Sequence, residues 1–392
     1  MRWSRPTTAF SLLAVIAALA VAGCGSSSKE SKPSTSAKTS TTSTAAATSS
    51  SSAASSSVVA KAQEEFKKYE KPIGLENLPK IDKPIPTGKS IDFVICAPAA
   101  CVPPARYTTE LASILGWKTK TIDAGESPGA QQAAMQQTVT EKPSAVVIEG
   151  LATEILERQI DALKAEKVPV LLWQVAGAKE EIPRYYTIPG PTLYKEETKA
   201  LAAASVVAGG EEAEIGLMAV PAFPIYAKTI SPEFKEAVTS LCPKCKVDEY
   251  QLPVSSLGKN ATSLITNYVR GHPGIKVVVN EQDVTSLGLE AALKGAGITD
   301  VKDIGLYATE ANLPDLAAET EYAIVPDPYH EMAGLIVDSL ARVYTGGSPK
   351  PDIETSPGVQ LWTKTTVPAF SKGVEPPVIS SYKTTFEKIW GK

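Results

Sequence analysis

The sequence predicts an α/β chain of two doubly wound parallel-sheet lobes, and three observations carry that prediction. After Lys89, short apolar runs rich in β-branched residues alternate with segments of helical period, the pattern of βαβ units around a buried parallel sheet. The alternation pauses at Pro189-Gly190-Pro191 and then starts again with the same build. From Val58 onward the chain has about 335 residues, more than one simple core accommodates.

The elements follow in order. Strands are expected at Ile91 to Ala97, Lys118 to Asp123, Ala145 to Glu149, Val168 to Trp173 and Tyr185 to Ile188. Helices are expected between them at Ala105 to Leu115, Gly129 to Val139 and Thr153 to Ala165. Past the Pro-Gly-Pro turn comes a long helix, Tyr194 to Ala208, then strands at Glu214 to Val220, Lys246 to Leu252, Ile275 to Asn280 and Asp303 to Ala308. The intervening helices are Ser231 to Leu241, Ala261 to Gly271 and Asp283 to Gly295. Late returning pieces, Tyr322 to Val325, a helix Tyr329 to Tyr344 and an extended run Val359 to Thr363, imply that the chain crosses between lobes more than once.

Ahead of this body, Arg2 and Arg5 precede an apolar stretch from Phe10 to Ala22 that ends in Val21-Ala22-Gly23-Cys24. A charged start, a short apolar run and small residues before a cleavage point make a secretory signal, too short for a transmembrane span. The small-small-Cys ending resembles the lipobox of bacterial lipoproteins, which implies cleavage after residue 23 and acyl chains on Cys24; an ordinary secreted protein is the alternative. Residues 24–57 are nearly all Ser, Thr, Ala and Lys and read as a tether, since they bury too little to offset ordering. Its mean reach is roughly 30 Å.

Net charge is only −4 and no basic block stands out, so an electrostatic nucleic-acid footprint is missing. The chain has two histidines, His272 and His330, too few with the cysteines for a His/Cys zinc site. No cofactor is expected, though an all-carboxylate metal site stays open. Beyond Cys24 the cysteines form close pairs, Cys96 with Cys101 and Cys242 with Cys245, which in an oxidising compartment read as two local disulfides. A redox role for Cys242-Pro243-Lys244-Cys245 needs the first cysteine at a helix N-terminus, whereas this pair follows a predicted helix. The sequence shows no nucleophile elbow, no phosphate-cradling glycine loop and no HExxH, so the chain reads as no enzyme.

Several short segments carry a family resemblance: Gly88-Lys89 before the first strand, Leu115-Gly116-Trp117 before the second, Val168-Pro169-Val170, Asp283 to Gly288, Leu361-Trp362-Thr363-Lys364 and the ending Phe386-Glu387-Lys388-Ile389-Trp390. In this order they resemble the type I periplasmic-binding-protein fold, in particular sugar-type solute-binding lipoproteins of actinobacterial ABC importers. The resemblance implies a lead-in at 58–89, an N-terminal lobe from 90–190 and 321–346, a C-terminal lobe from 191–320 and 347–366, hinge strands between them, and a tail at 367–392. It also implies a monomer anchored to the outer face of the bacterial cytoplasmic membrane that closes on a small molecule and passes it to an ABC permease. A ligand sensor for a membrane signalling partner stays open as a second reading, and a carboxylate-based glycoside hydrolase as a third.

Ligands of open α/β sheets bind beyond the carboxyl ends of the strands. That rule nominates Pro98, Ala99, Ala100, Glu149, Trp173 and Gln174 in the first lobe. In the second it nominates Phe223, Tyr226, Gln282, Asp283 and Glu310, with Asp327 on the returning piece. Trp173 fits a buried strand end equally well, and Asp283 fits a helix cap equally well. Sugar binders of the resembled family usually carry an Asp-Arg pair where this chain has Gln174-Val175, an arginine near Ile230, an Asp after the strand ending near Glu310 and a Gln near Pro326. Losing such planar clamps removes much of a plain sugar grip. A polyol, a modified sugar, or a ligand with an amine or aromatic ring suits the remaining aromatics and carboxylates.

Overall fold

The computed structural model describes residues 49–76, 78–96, 101–175, 185–188, 191–348 and 356–392. The expectations for the signal segment, for Cys24 and for Pro98, Ala99 and Ala100 lie outside these residues. Among the described residues, no helix is long and apolar enough to cross a membrane.

The first half of the molecule is built from β1 (Ser90–Ile95), α1 (Ser49–Lys68) standing before it in sequence, α2 (Val102–Ile114), β2 (Lys118–Asp123), α3 (Pro128–Glu141), β3 (Ala145–Glu149), α4 (Glu157–Ala165), β4 (Val170–Trp173) and β5 (Tyr185–Ile188). Its five strands pair in the order β2-β1-β3-β4-β5, all parallel. The second half holds α5 (Pro191–Gly209), β6 (Glu214–Ala219), α6 (Ser231–Leu241), β7 (Lys246–Gln251), α7 (Ala261–Gly271), β8 (Ile275–Asn280), α8 (Leu289–Gly295), β9 (Lys302–Leu306), α9 (Leu313–Ala317) and β10 (Ala323–Val325). Here the order is β7-β6-β8-β9-β10, again all parallel. The two sheets therefore share one topology, the first strand inside and the second at an edge, which places a topological switch point at the carboxyl ends of β1 and β3, and of β6 and β8.

The central strands are apolar because both faces are covered: β3 (Ala145-Val146-Val147-Ile148-Glu149) is buried throughout. The edge strand β2 is mostly exposed and correspondingly reads Lys-Thr-Lys-Thr. Helix α3 starts where Ser127 accepts a hydrogen bond from the Ala130 amide at 3.2 Å with Pro128 in the first turn, and stops at Lys142 in the left-handed region (φ 53°). Helix α10 (Tyr329–Tyr344) is buried from Tyr329 to Ala341 and packs between α2 and the closing helix α11 (Tyr382–Trp390). Helix α1 instead packs along α5, with Ala62 against Val206 and Cys242.

Several expectations are corrected. Strand β10 pairs with β9, so Ala323–Val325 completes the second sheet and the chain passes to the first half only after Val325, not at residue 321. Its side chains leave no choice: Ile324 packs with Leu313, Leu316 and Trp362 of the second half. The helix expected from Asp283 to Gly295 is a 3₁₀ turn, Asp283–Thr285, followed by α8, because the chain turns through left-handed Gly288 (φ 76°). The run Val359 to Thr363 is no continuous strand; it makes single antiparallel bridges, Val359 to Ile73 and Trp362 to Ile324. Helix α1 begins at Ser49, inside the expected tether, since a helix docked through Ala62 and Phe66 extends backwards at little further cost.

Candidate functional site

Strand ends of both halves converge on Asp327, which lies in the segment between β10 and α10 and is buried. From the first half, Glu149 ends β3 and stands in register with Trp173 at the end of β4. The chain then turns through Gln174 in the left-handed region (φ 48°), and the Gln174 amide donates to Asp327 Oδ2 at 2.7 Å. From the second half, Tyr307 follows β9 in the same left-handed conformation (φ 58°) and its hydroxyl donates to Glu197 Oε2 at 2.7 Å. Gln174 and Tyr307 occupy equivalent places after the fourth strand of each half. Positive φ in a residue with a side chain is disfavoured and persists where the surroundings demand it, as at ligand clamps.

Aromatic rings fill the space between these groups. Trp173 and Tyr329 lie 6.5 Å apart, Tyr226 and Tyr307 6.2 Å, and Phe223 meets Tyr226 edge-on at 5.9 Å. The Gln282 amide donates to the Tyr226 hydroxyl. Tyr194 and Glu197 come from the first turns of α5, directly after the crossover. At the rim, Lys228 of the second half reaches Glu154 of the first at 3.5 Å, so the halves touch across the groove.

The electrostatics are one-sided. Burial pushes Asp327 up to about 7. Burial, then the charge of Asp327, raises both Glu149 and Glu197 well above the carboxylate range. Among the described residues no lysine or arginine offsets these three acids. Glu149 Oε2, Glu197 Oε1, Asp327 Oδ1, Trp173 Nε1 and Tyr194 Oη are buried without a hydrogen-bond partner. Such atoms are rare in folded proteins and each carries a desolvation cost, so their gathering in one groove marks a place built for something else to bind.

Of the residues nominated from sequence, the structure brings Glu149, Trp173, Gln174, Tyr226, Gln282 and Asp327 together, with Phe223 half-buried behind Tyr226. Glu310 lies beside them, lining with Asp327, Tyr329 and Trp362 a small opening. Asp283 does not join them. It accepts from the Ser286 hydroxyl at 2.6 Å, not from a backbone cap, and its carboxyl packs over Gly305 in the middle of β9, where an added Cβ would sit 2.1 Å from it. There it meets Asp303 and Glu321, and burial pushes it up to about 7. Glu281 likewise serves the fold, accepting from the Val220 amide at 2.8 Å and from the Ser231 hydroxyl.

The strand-end rule missed Tyr194, Glu197, Tyr307 and Tyr329. Tyr307 was hidden by a strand expected to run two residues too far, and the others lie on helix starts that follow each crossing between halves. That placement, a helix beginning straight after a Pro-rich crossover, is the signal that finds them.

The disulfide Cys96–Cys101 flanks Glu149, their sulfur and carboxylate atoms all lying within 4.8 Å of one another. With the sulfurs bonded to each other, this group offers no thiolate to a metal. The disulfide Cys242–Cys245 lies at the C-terminal end of α6 beneath α1.

Residues 107–348 match the model of the family described as "Periplasmic binding protein domain". The chain belongs to this periplasmic binding protein family. Solved structures similar to it include an ABC sugar transporter subunit from Rhodobacter sphaeroides 2.4.1, 20% identical, covering 71% of this chain and 99% of that one with a TM-score of 0.60. An ABC transporter solute binding protein from Agrobacterium vitis, solved with bound allitol, is 21% identical over 71% of this chain and 97% of its own, TM-score 0.60. A periplasmic ribose ABC transporter from Conexibacter woesei DSM 14684 is 15% identical over 73% and 95%, TM-score 0.61. At these identities the likeness shows the fold. No curated protein sequence matches the chain. As a periplasmic binding protein it places its groove between two sheets of equal topology, and the groove is lined by acids and tyrosines.

Proposed function

We propose that this periplasmic binding protein captures a small hydroxylated solute outside the cytoplasm and delivers it to an ABC importer, with no chemistry performed on it. The observation that carries the reading is the set of unpartnered, buried polar atoms on both halves of one groove. A solute that satisfies atoms from both halves at once favours the arrangement in which they touch, and only such differential contact closes a two-part body. The allitol bound in the similar Agrobacterium vitis protein points to the same ligand class. We further propose that the protein is a monomer held to the membrane through acyl chains on Cys24.

A thermal-shift screen of sugars, polyols and their amino derivatives tests the reading. A solute at a hundredfold excess over its dissociation constant adds about 2.7 kcal/mol of stability. For a chain of this size that raises the melting temperature by several degrees, at roughly 2 to 4 °C per kcal/mol. Turnover of a glycoside in place of stoichiometric binding would overturn it.

A further inference from the structure

Three buried carboxyl groups lie close together, Asp327 acting on both Glu149 and Glu197, with no described lysine or arginine to match them. Each keeps an oxygen without a partner. A neutral sugar donates hydrogen bonds to such oxygens but leaves their charge uncompensated, and uncompensated buried charge is costly. Burial disfavours the ionised form of all three, and a cation beside them is what favours it. The rings near them, Trp173, Tyr226, Tyr307 and Tyr329, are of the kind whose faces attract cations. Two further orphans are not acids: Trp173 Nε1 only donates, and the Tyr194 hydroxyl is free to do so. They call for acceptor oxygens on the same ligand.

We propose that the groove takes a small organic cation, an amine carrying hydroxyl groups such as an amino sugar or amino polyol. Its ammonium is held around Asp327 by Glu149 and Glu197, and its hydroxyl oxygens accept from Trp173 and Tyr194. One ammonium balances one ionised carboxylate while the other carboxyls remain neutral, and its N–H groups donate to open carboxyl oxygens. The inference deepens the capture reading and rests on it, naming the solute class.

Calorimetric titration of the full chain with D-glucosamine, D-galactosamine and 1-amino-1-deoxy-D-sorbitol, each against glucose, galactose and sorbitol, tests it. Expected is binding of at least one amine about tenfold or more tighter than its neutral counterpart, as a desolvated charge pair provides. Glu149→Gln keeps the shape and removes the charge; it should weaken the amine about thirtyfold or more without lowering the melting temperature. Trp173→Phe keeps the packing and removes the donor, and it should weaken the hydroxylated amine. Asp92→Asn, a buried acid of β1 outside the groove, should leave affinity unchanged. A neutral sugar that binds as tightly as its amine, or an unchanged amine affinity in Glu149→Gln, overturns the cation while capture stands. Silence from both sets overturns the cation as well, and capture falls with it only if the wider solute screen is silent too.

Discussion

Asp327 is the residue on which the groove turns. Its carboxyl titrates at about 7, against about 3.9 for a free aspartate, because burial disfavours its charge. Glu149, Glu197, Tyr194, Tyr226, Tyr307 and Tyr329 face it from β3, α5, the loop after β6, the end of β9 and α10, and only the Gln174 amide favours its ionised form. Between those two values the folded protein holds a proton that the unfolded chain has released. Stability therefore falls as pH rises through that window, the opposite of a salt-bridged acid. Asp283 at about 7 and Glu331 at about 8 act in the same direction. Thermal melts of the ligand-free protein should show a lower melting temperature at pH 8 than at pH 5; equal or higher values at pH 8 would contradict the burial of these acids.

At the scale of elements, the contact between α10 and α11 is set by a single missing side chain. A Cβ on Gly334 would sit 1.9 Å from the Phe386 ring, so the ring lies directly on the α10 backbone. Phe386 stacks on Trp390 at 5.4 Å, the Trp390 indole donates to Asp338 Oδ1 at 3.1 Å, and Asp338 Oδ2 pairs with Arg342 at 2.7 Å. Gly334→Ala should overpack this seam and destabilise by about 1–3 kcal/mol, despite alanine's better helix propensity. Urea melts measure it; a gain in stability would show that α11 docks loosely. Because α10 begins at Tyr329, such a shift should also loosen the groove wall.

At the scale of the whole molecule, two similar sheets meet where their strand ends face one groove, and the chain passes between them after Ile188, after Val325 and again between α10 and Val359. Repeated passages let the halves move without separating, and the exposed Lys228–Glu154 pair at the rim contributes little on its own. The proposed anchoring through Cys24 belongs to this scale too. Two or more acyl chains at about 0.8 kcal/mol per buried methylene hold a protein at a membrane where one does not. Cys24→Ala should move the protein from the detergent phase to the aqueous phase on phase separation, and retention in the detergent phase would remove Cys24 as the anchor.

The sequence by itself determined the two α/β halves, because short apolar runs between amphipathic segments bury comfortably in few other ways, and it located the strand ends closely enough to name Glu149, Trp173, Gln174, Tyr226 and Asp327. Close cysteine spacing likewise disclosed both disulfides. Only the tertiary structure decided that Asp283 faces the inside of its own half, since a cap and a buried carboxyl pair look alike until Gly305 and Glu321 are brought beside it. It alone brought Tyr194 and Glu197 to the groove, because a helix start shows no direction in sequence. And it alone revealed that no cation among the described residues matches the acids: charge balance belongs to a volume in space, and linear order does not define that volume.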